Sequence, residues 1–306
     1  MKLKNFRIIQ LLEYLAIMVV ALPLYWMPRR MALRTGEYIG TLMYYLLSRR
    51  RQIGFKNLTI AFGEEFSDQE KERILRSNFR NLGKSIVEVL HFPKMSRDDV
   101  RAKVTIVGQE NCVNAIRKGR GMIYLAAHIG NWEMSSFAQS AAGYPANIVV
   151  RPLDNRYLNN FMVKVRTMYG HTILSRRNGM RDMMAALKRK EPVGILMDQN
   201  AKRSQGIFVD FFGKSASTVP VIAILALRYD APVIPGFIVR TGFDTHTLYF
   251  GEEIGIERTG DAKKDIEINT ARLNKILEDF IRQYPDQWFW IHNRWKTQPY
   301  SVSSEQ

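Results

Sequence analysis

The 306-residue chain has a single cysteine, Cys112. One thiol can form neither an intrachain disulfide nor a cysteine metal cluster, which fits a reducing compartment. No H-E-x-x-H pattern occurs, so the zinc-hydrolase helix is excluded. No G-x-S-x-G elbow offers a serine nucleophile either. Gly213-Lys214-Ser215 looks like the end of a P-loop, but the preceding Gly206 lies too far upstream for G-x-x-x-x-G-K. Acidic residues are in deficit, 29 against 45 basic, leaving a formal net charge of +16. Such an excess attracts polyanions: nucleic acid, anionic lipid headgroups or acidic protein partners. Repeats, low-complexity tracts and long linkers are missing. With 46% hydrophobic and 24% charged residues, the chain is neither disordered nor polytopic. Its mean hydropathy of −0.21 leaves at most one short part for lipid.

That part is the N-terminus. Lys2, Lys4 and Arg7 precede a mostly apolar stretch from Ile8 to Met27, interrupted by Gln10, Glu13 and Pro23. The uninterrupted run, Tyr14 to Met27, is shorter than the roughly 20 residues of a spanning helix. It ends in Tyr25 and Trp26, which favour an interface, and Arg29, Arg30 and Arg34 follow. No A-x-A-like cleavage site is evident. The stretch reads as an anchor, either a tilted span or a helix half-sunk in one leaflet, although a buried helix shares the pattern. A second apolar segment, Tyr38 to Leu47, runs into Arg49, Arg50 and Arg51, as suits an anionic membrane surface. The expected division is an N-terminal membrane-associated region, residues 1–48, and a domain over 49–306.

Ser67 and Glu70 form a capping box, predicting a helix to about His91. Beyond residue 100, short apolar runs alternate with helical ones. Met122 to Ala127, Asn147 to Val150, Val193 to Met197 and Val233 to Val239 read as strands, and Leu248 to Phe250 as a further one. Asn159 to Tyr169, Arg181 to Lys190, Val219 to Tyr229 and Lys263 to Gln283 read as helices. The implied fold class is α/β, with a mixed, largely parallel sheet flanked by helices. The tail Ser301–Gln306 is expected to fray.

Four predicted strands end in polar residues: His128, Arg151, Asp198 and Arg240. Ligands of open α/β sheets bind beyond the carboxyl ends of strands. His128 opens His-Ile-Gly-Asn-Trp-Glu. Gly130 permits a tight turn, and Asn131 can cap a helix whose first turn holds Glu133. With His128 in the turn, Glu133 could hold one ring nitrogen while the other faces a substrate, the base-plus-orienter logic of acyl transfer. Cys112 reads as a packing residue. His91, His171, His246 and His292 lack ligand-like spacing and read as structural or exposed, so no metal site is expected. Arg151, Arg166, Arg176 and Arg177 are fork-shaped binders for phosphate or carboxylate, or else a solvated face.

These residues in this order resemble the late acyltransferases of lipid A biosynthesis, the lauroyl and myristoyl transferase family. The resemblance covers nearly the whole chain. It is carried by the apolar N-terminus, H-x-x-x-x-E at His128 to Glu133, Arg151-Pro152, Arg166 before Tyr169-Gly170, and Asp198-Gln199. Phe208 to Gly213, Thr218 and the closing Gln287-Trp288-Phe289-Trp290-Ile291-His292 complete the set. The resemblance implies a glycerolipid-acyltransferase-like fold on the cytoplasmic face of a bacterial inner membrane. It implies a donor thioester on acyl carrier protein, with no other cofactor, and a hydroxyl of a phosphorylated lipid A precursor as acceptor. His128, Glu133, Arg166 and Asp198 would be catalytic. Asn131, Arg151, Gln199 and Thr218 would bind substrate. Asn200 departs from the D-Q-D of many members, which leaves its role open. The rivals are another acceptor, such as a glycolipid mannoside or a lysophospholipid, and a non-enzymatic module binding membrane or nucleic acid. With a membrane lipid as acceptor, no nucleic-acid partner is expected.

Overall fold

Apolar residues on both sides of a strand call for helices on both faces of its sheet, and the chain is built that way. The computed structural model describes the backbone of residues 2–175 and 178–299 and the side chains of 7–174 and 178–299. Arg176, Arg177, the side chains of Lys2 and Lys4, and the tail Ser301–Gln306 lie outside the described residues.

Four helices come first. They are α1 (Lys2–Trp26), α2 (Arg29–Leu46), α3 (Ser48–Phe62) and α4 (Asp68–His91). In α1 the helix runs unbroken through Pro23, and Arg7–Trp26 is long and apolar enough to cross a membrane by length and composition alone. The polar residues that interrupt its sequence turn towards protein. Gln10 donates to the Asp154 carbonyl at 2.6 Å, and Asn155 donates to Glu13 at 3.2 Å. Between α2 and α4 the backbones touch at glycines. A Cβ on Gly83 would sit 2.1 Å from the Gly36 oxygen, and one on Gly40 would sit 2.2 Å from the Phe79 oxygen. The Ser67–Glu70 box starts α4 as expected, each residue bonding the other's backbone amide.

The α/β part follows: α5 (Arg97–Lys103), β1 (Val104–Val107), α6 (Gln109–Arg117), β2 (Met122–Ala126), α7 (Trp132–Ala141), β3 (Asn147–Val150), α8 (Arg156–Thr167), β4 (Thr172–Ser175), α9 (Gly179–Lys188) and β5 (Pro192–Leu196). A hairpin of β6 (Ile207–Phe211) and β7 (Lys214–Thr218) comes next. Then come α10 (Val221–Tyr229), β8 (Val233–Arg240), β9 (His246–Phe250) and α11 (Ala262–Gln283). Seven strands form one sheet in the order β1-β9-β8-β2-β5-β3-β4. Every pairing is parallel except β8 with β9. The fold class is therefore the mixed, largely parallel α/β arrangement that the sequence implies.

Alternation along β2 divides the core. Met122 and Tyr124 point to the face covered by α6, α7 and α8, with Cys112, Met134, Phe137 and Val165. Ile123 and Leu125 point to the other face, against Met183 of α9, Ile222 of α10 and Leu273 of α11. The sheet is not closed throughout. β3 pairs with β5 only at Asn147–Val193 and Ile148–Gly194; beyond those two rungs the strands part company.

Gly213-Lys214-Ser215 belongs to the β6–β7 turn. Phe212 and Gly213 both take positive φ, 55° and 69°, the primed hairpin geometry that a glycine allows. Phe212 tolerates it because Glu278 of α11 accepts its N–H at 2.6 Å.

Candidate active site

His128 and Asp198 each follow the carboxyl end of a strand, and β2 and β5 are neighbours. Adjacency of strands thus brings together two residues 70 positions apart. His128 Nδ1 lies 2.8 Å from Asp198 Oδ1, and the His128 backbone N–H donates to Asp198 Oδ2 at 3.0 Å. Trp288 Nε1 donates to the same Oδ2 at 2.8 Å. Asp198 is 1% exposed. Burial alone would raise its pKa; the His128 ring, the His128 amide and Trp288 outweigh that and hold it below the usual 3.8. A permanently ionised carboxylate fixes Nδ1 as the protonated nitrogen and leaves Nε2 as a free acceptor.

The expectation that Glu133 holds the imidazole differs from what is found. Glu133 faces Arg166 of α8, which donates to it twice, through Nε at 2.9 Å and Nη2 at 2.5 Å. Burial opposes the Arg166 charge, and the two bonds to Glu133 more than offset it, raising the guanidinium pKa. The physical reason is helical direction. Asn131 caps α7 and accepts from the Met134 amide at 3.2 Å, so Glu133 leaves the first turn towards α8, while the strand pairing hands the ring to Asp198.

The turn between His128 and Trp132 is clamped from two sides. The segment after α11 supplies one: Gly130 N–H donates to the Gln287 carbonyl, and Phe289 N–H to the His128 carbonyl, both at 2.9 Å. Gly130 has φ +57°, and a Cβ there would meet the Ile238 oxygen at 2.3 Å, so no larger residue fits. The second clamp is Glu88 of α4, which is fully buried. It accepts from Asn131 at 2.7 Å, from both guanidinium nitrogens of Arg240 at 2.7 Å, and pairs with His246 at 3.0 Å. Burial pushes the Glu88 pKa up, but Arg240 and His246 dominate and hold it well below 4.5.

A groove of about 1270 Å³ opens at this edge of the sheet. His128, Glu133, Arg166, Arg151, Gln199 and Asn200 line its polar end. Apolar side chains of β2, β3, β5, α9 and α10 line much of the rest, with Ser135, Ser136 and Gln139 of α7 and basic residues such as Arg49 and Lys296 beside them. Two residues expected to bind substrate are placed elsewhere. Thr218 is fully buried, donating to Ala216 and accepting from Asn274 and Arg294, and Asn131 is 2% exposed in its capping role. Asn200 has a role of its own. Its amide bridges Thr297, and its backbone N–H donates to His292 Nε2 at 3.1 Å, tying the loop after β5 to the last segment. Among the described residues, no group of three His, Cys, Asp or Glu converges as a metal would require. Trp288, Glu88 and Gln287 are the positioning residues that the sequence reading missed. The Gln287–His292 run was the signal for Gln287 and Trp288, and no local pattern marked Glu88.

The sequence model of the family described as bacterial lipid A biosynthesis acyltransferase matches residues 2–297. The lipid A biosynthesis palmitoleoyltransferase of Escherichia coli K12 is 29% identical over 273 residues, covering 88% of this chain and 86% of that protein. The lauroyltransferase of the same organism is 26% identical, covering 91% and 89%. Its myristoyltransferase is 24% identical, covering 86% and 79%. With the match running over nearly its whole length, the chain belongs to the bacterial lipid A biosynthesis acyltransferases.

Proposed function

We propose that this acyltransferase moves a fatty acyl chain from a thioester on acyl carrier protein to a hydroxyl of a lipid A precursor. The observation that carries the mechanism is a histidine whose Nδ1 is held by a buried aspartate at the mouth of a large, mostly apolar groove. In this reading Nε2 of His128 takes the proton of the acceptor hydroxyl. The hydroxyl oxygen forms a bond to the thioester carbonyl carbon, the C–S bond breaks, and the proton passes from the imidazolium to the departing thiolate. Asp198 stabilises the imidazolium and sets its tautomer. No protein nucleophile is needed, so no acyl-enzyme forms. Arg166 keeps Nη1 free of Glu133, and that donor is available to the oxyanion or to an anionic group of the acceptor. Glu133 in turn positions Arg166. Arg151 and Gln199, on the same groove, contact the acceptor.

Membrane attachment belongs to the same reading. The outward face of α1 carries Leu12, Val19, Val20 and Trp26, all more than half exposed. An apolar α1 and a net charge of +16 support attachment to the cytoplasmic face of the bacterial inner membrane, where a lipid acceptor would be met. The test is His128→Ala, assayed with acyl carrier protein thioester and lipid A precursor in detergent. General-base loss predicts a fall of about 10²–10⁴-fold in kcat with the fold retained. Near-normal turnover would exclude His128 as the base. Offering lysophospholipid and mannosylated glycolipid alongside the precursor identifies the acceptor by the lipid product.

A further inference from the structure

The groove runs from the polar end into the opening between β3 and β5. These strands share only two rungs, and the second pairs Ile148 with Gly194. On the other side Gly194 pairs with Tyr124 of β2. Ile148, Gly194 and Tyr124 therefore form one row across three strands, and all three line the groove. Two residues further along each strand, on the same face, stand Val150, Leu196 and Ala126. Two residues beyond those come Asp198 and His128.

The row at Gly194 is the closed end of this slot. Below it the strands are paired and no gap remains. Above it the gap widens, and the strand side chains that face it, Val150, Leu196 and Ala126, are apolar up to the His128–Asp198 level, while α7 adds Ser135, Ser136 and Gln139. Gly194 lies in β5 four residues before Asp198, which follows the strand's end, so at ~3.3 Å per residue the slot reaches at most about 13 Å below the reacting atoms. Gly194 also has space that it does not fill. A Cβ there would find a single neighbour within 4 Å, Cγ2 of Ile148 at 3.1 Å, and otherwise open groove.

We infer that the fork between β3 and β5 is the acyl-chain slot, and that Gly194 and Ile148 at its base set the length of chain transferred. The inference rests on the acyl-transfer reading above. An alkyl chain is the occupant that this slot fits: its strand walls are apolar, its depth is fixed by strand register, and its open end meets the histidine. A methyl group at Gly194 projects into the slot and shortens it. Removing three carbons from Ile148 deepens it.

The experiment is a competition among decanoyl, lauroyl, myristoyl and palmitoyl thioesters of acyl carrier protein, read by mass spectrometry of the lipid product. It is run with the wild-type full chain, Gly194→Ala and Ile148→Ala. Gly194→Ala should shift the ratio of kcat/KM values towards the shorter chain by about ten-fold, the discrimination that one methylene commands in an apolar pocket. Ile148→Ala should shift it towards the longer chain. If either variant loses its fold, the other still decides, because the two effects are opposite in sign. Wild-type transfer with an unchanged length preference in a folded variant overturns the inference and leaves the acyl-transfer reading intact. No transfer of any chain by the wild type overturns the reading itself.

Discussion

At the level of single residues, the site depends on which carboxylate the histidine meets. His128 and Glu133 are five positions apart, and sequence spacing suggests their contact. The contact that forms, His128 with Asp198, crosses 70 positions and depends on β2 lying beside β5, which no local pattern encodes. His128, Arg151 and Asp198 were legible because strand ends announce themselves, whereas Glu133 came from its spacing to His128, and Arg166 and Gln199 gained their site roles from the family resemblance. Their pairing was not, since it follows from strand order. Thr218 came from the family resemblance alone, and its sequence carried no sign that its hydroxyl accepts from Asn274 and the buried Arg294. His292 read as structural or exposed, and it is structural: its ring joins the loop after β5 to the last segment. Burial holds its imidazole down at about 4 against an ordinary 6.5, with Asn200 donating to its neutral ring. A depressed histidine means that the unfolded chain binds the proton more readily. The stability it contributes is therefore complete above about 6.5 and is lost as pH falls towards 4. Thermal melts across this window should show the decline, and His292→Gln, which can still accept from the Asn200 amide, should flatten it. A variant profile as steep as the wild type would assign the acid sensitivity to other groups.

At the level of elements, the chain is most readable where periodicity is long. α4 and α11 fall within a residue of the capped, amphipathic stretches that predict them. The short elements β1 and β4, and the β6–β7 hairpin, escaped notice. A four- or five-residue strand such as Lys214–Thr218 carries little apolar signal, and its place is set by the partner across the turn. The α2–α4 crossing was equally silent. Gly36, Gly40 and Gly83 are single residues in two separate helices, and only their meeting shows what they are for. Gly83→Ala would drive a methyl into the Gly36 carbonyl, pushing the helices apart at a cost of about 1–3 kcal/mol. Gly255→Ala, where the nearest atom is Arg272 Nη1 at 3.9 Å, is the comparison and should be close to neutral. Denaturant midpoints measured in the same detergent check the pair; equal shifts would mean that the crossing tolerates a wider gap.

At the level of the whole molecule, charge and hydropathy are unevenly shared, and this was visible from the start. The first helix concentrates the apolar surface, while its polar residues Gln10 and Glu13 turn inward to the loop that begins α8. This arrangement ties α1 to the helix bearing Arg166. Val19, 72% exposed, lies on the outward face. Val19→Glu should lower co-flotation with vesicles containing anionic phospholipid several-fold without changing the melt. Undiminished flotation would move the membrane contact to α2 or to the basic surface. The tie between distant parts of the chain has a second consequence, in time. Asp198 is set by Trp288, and the His128 turn is gripped by Gln287 and Phe289, all later in the chain than every strand of the groove. During synthesis the groove strands emerge first, and the groups that aim the histidine emerge after them. A nascent chain, or one cut before Gln287, would hold the slot without an aimed base.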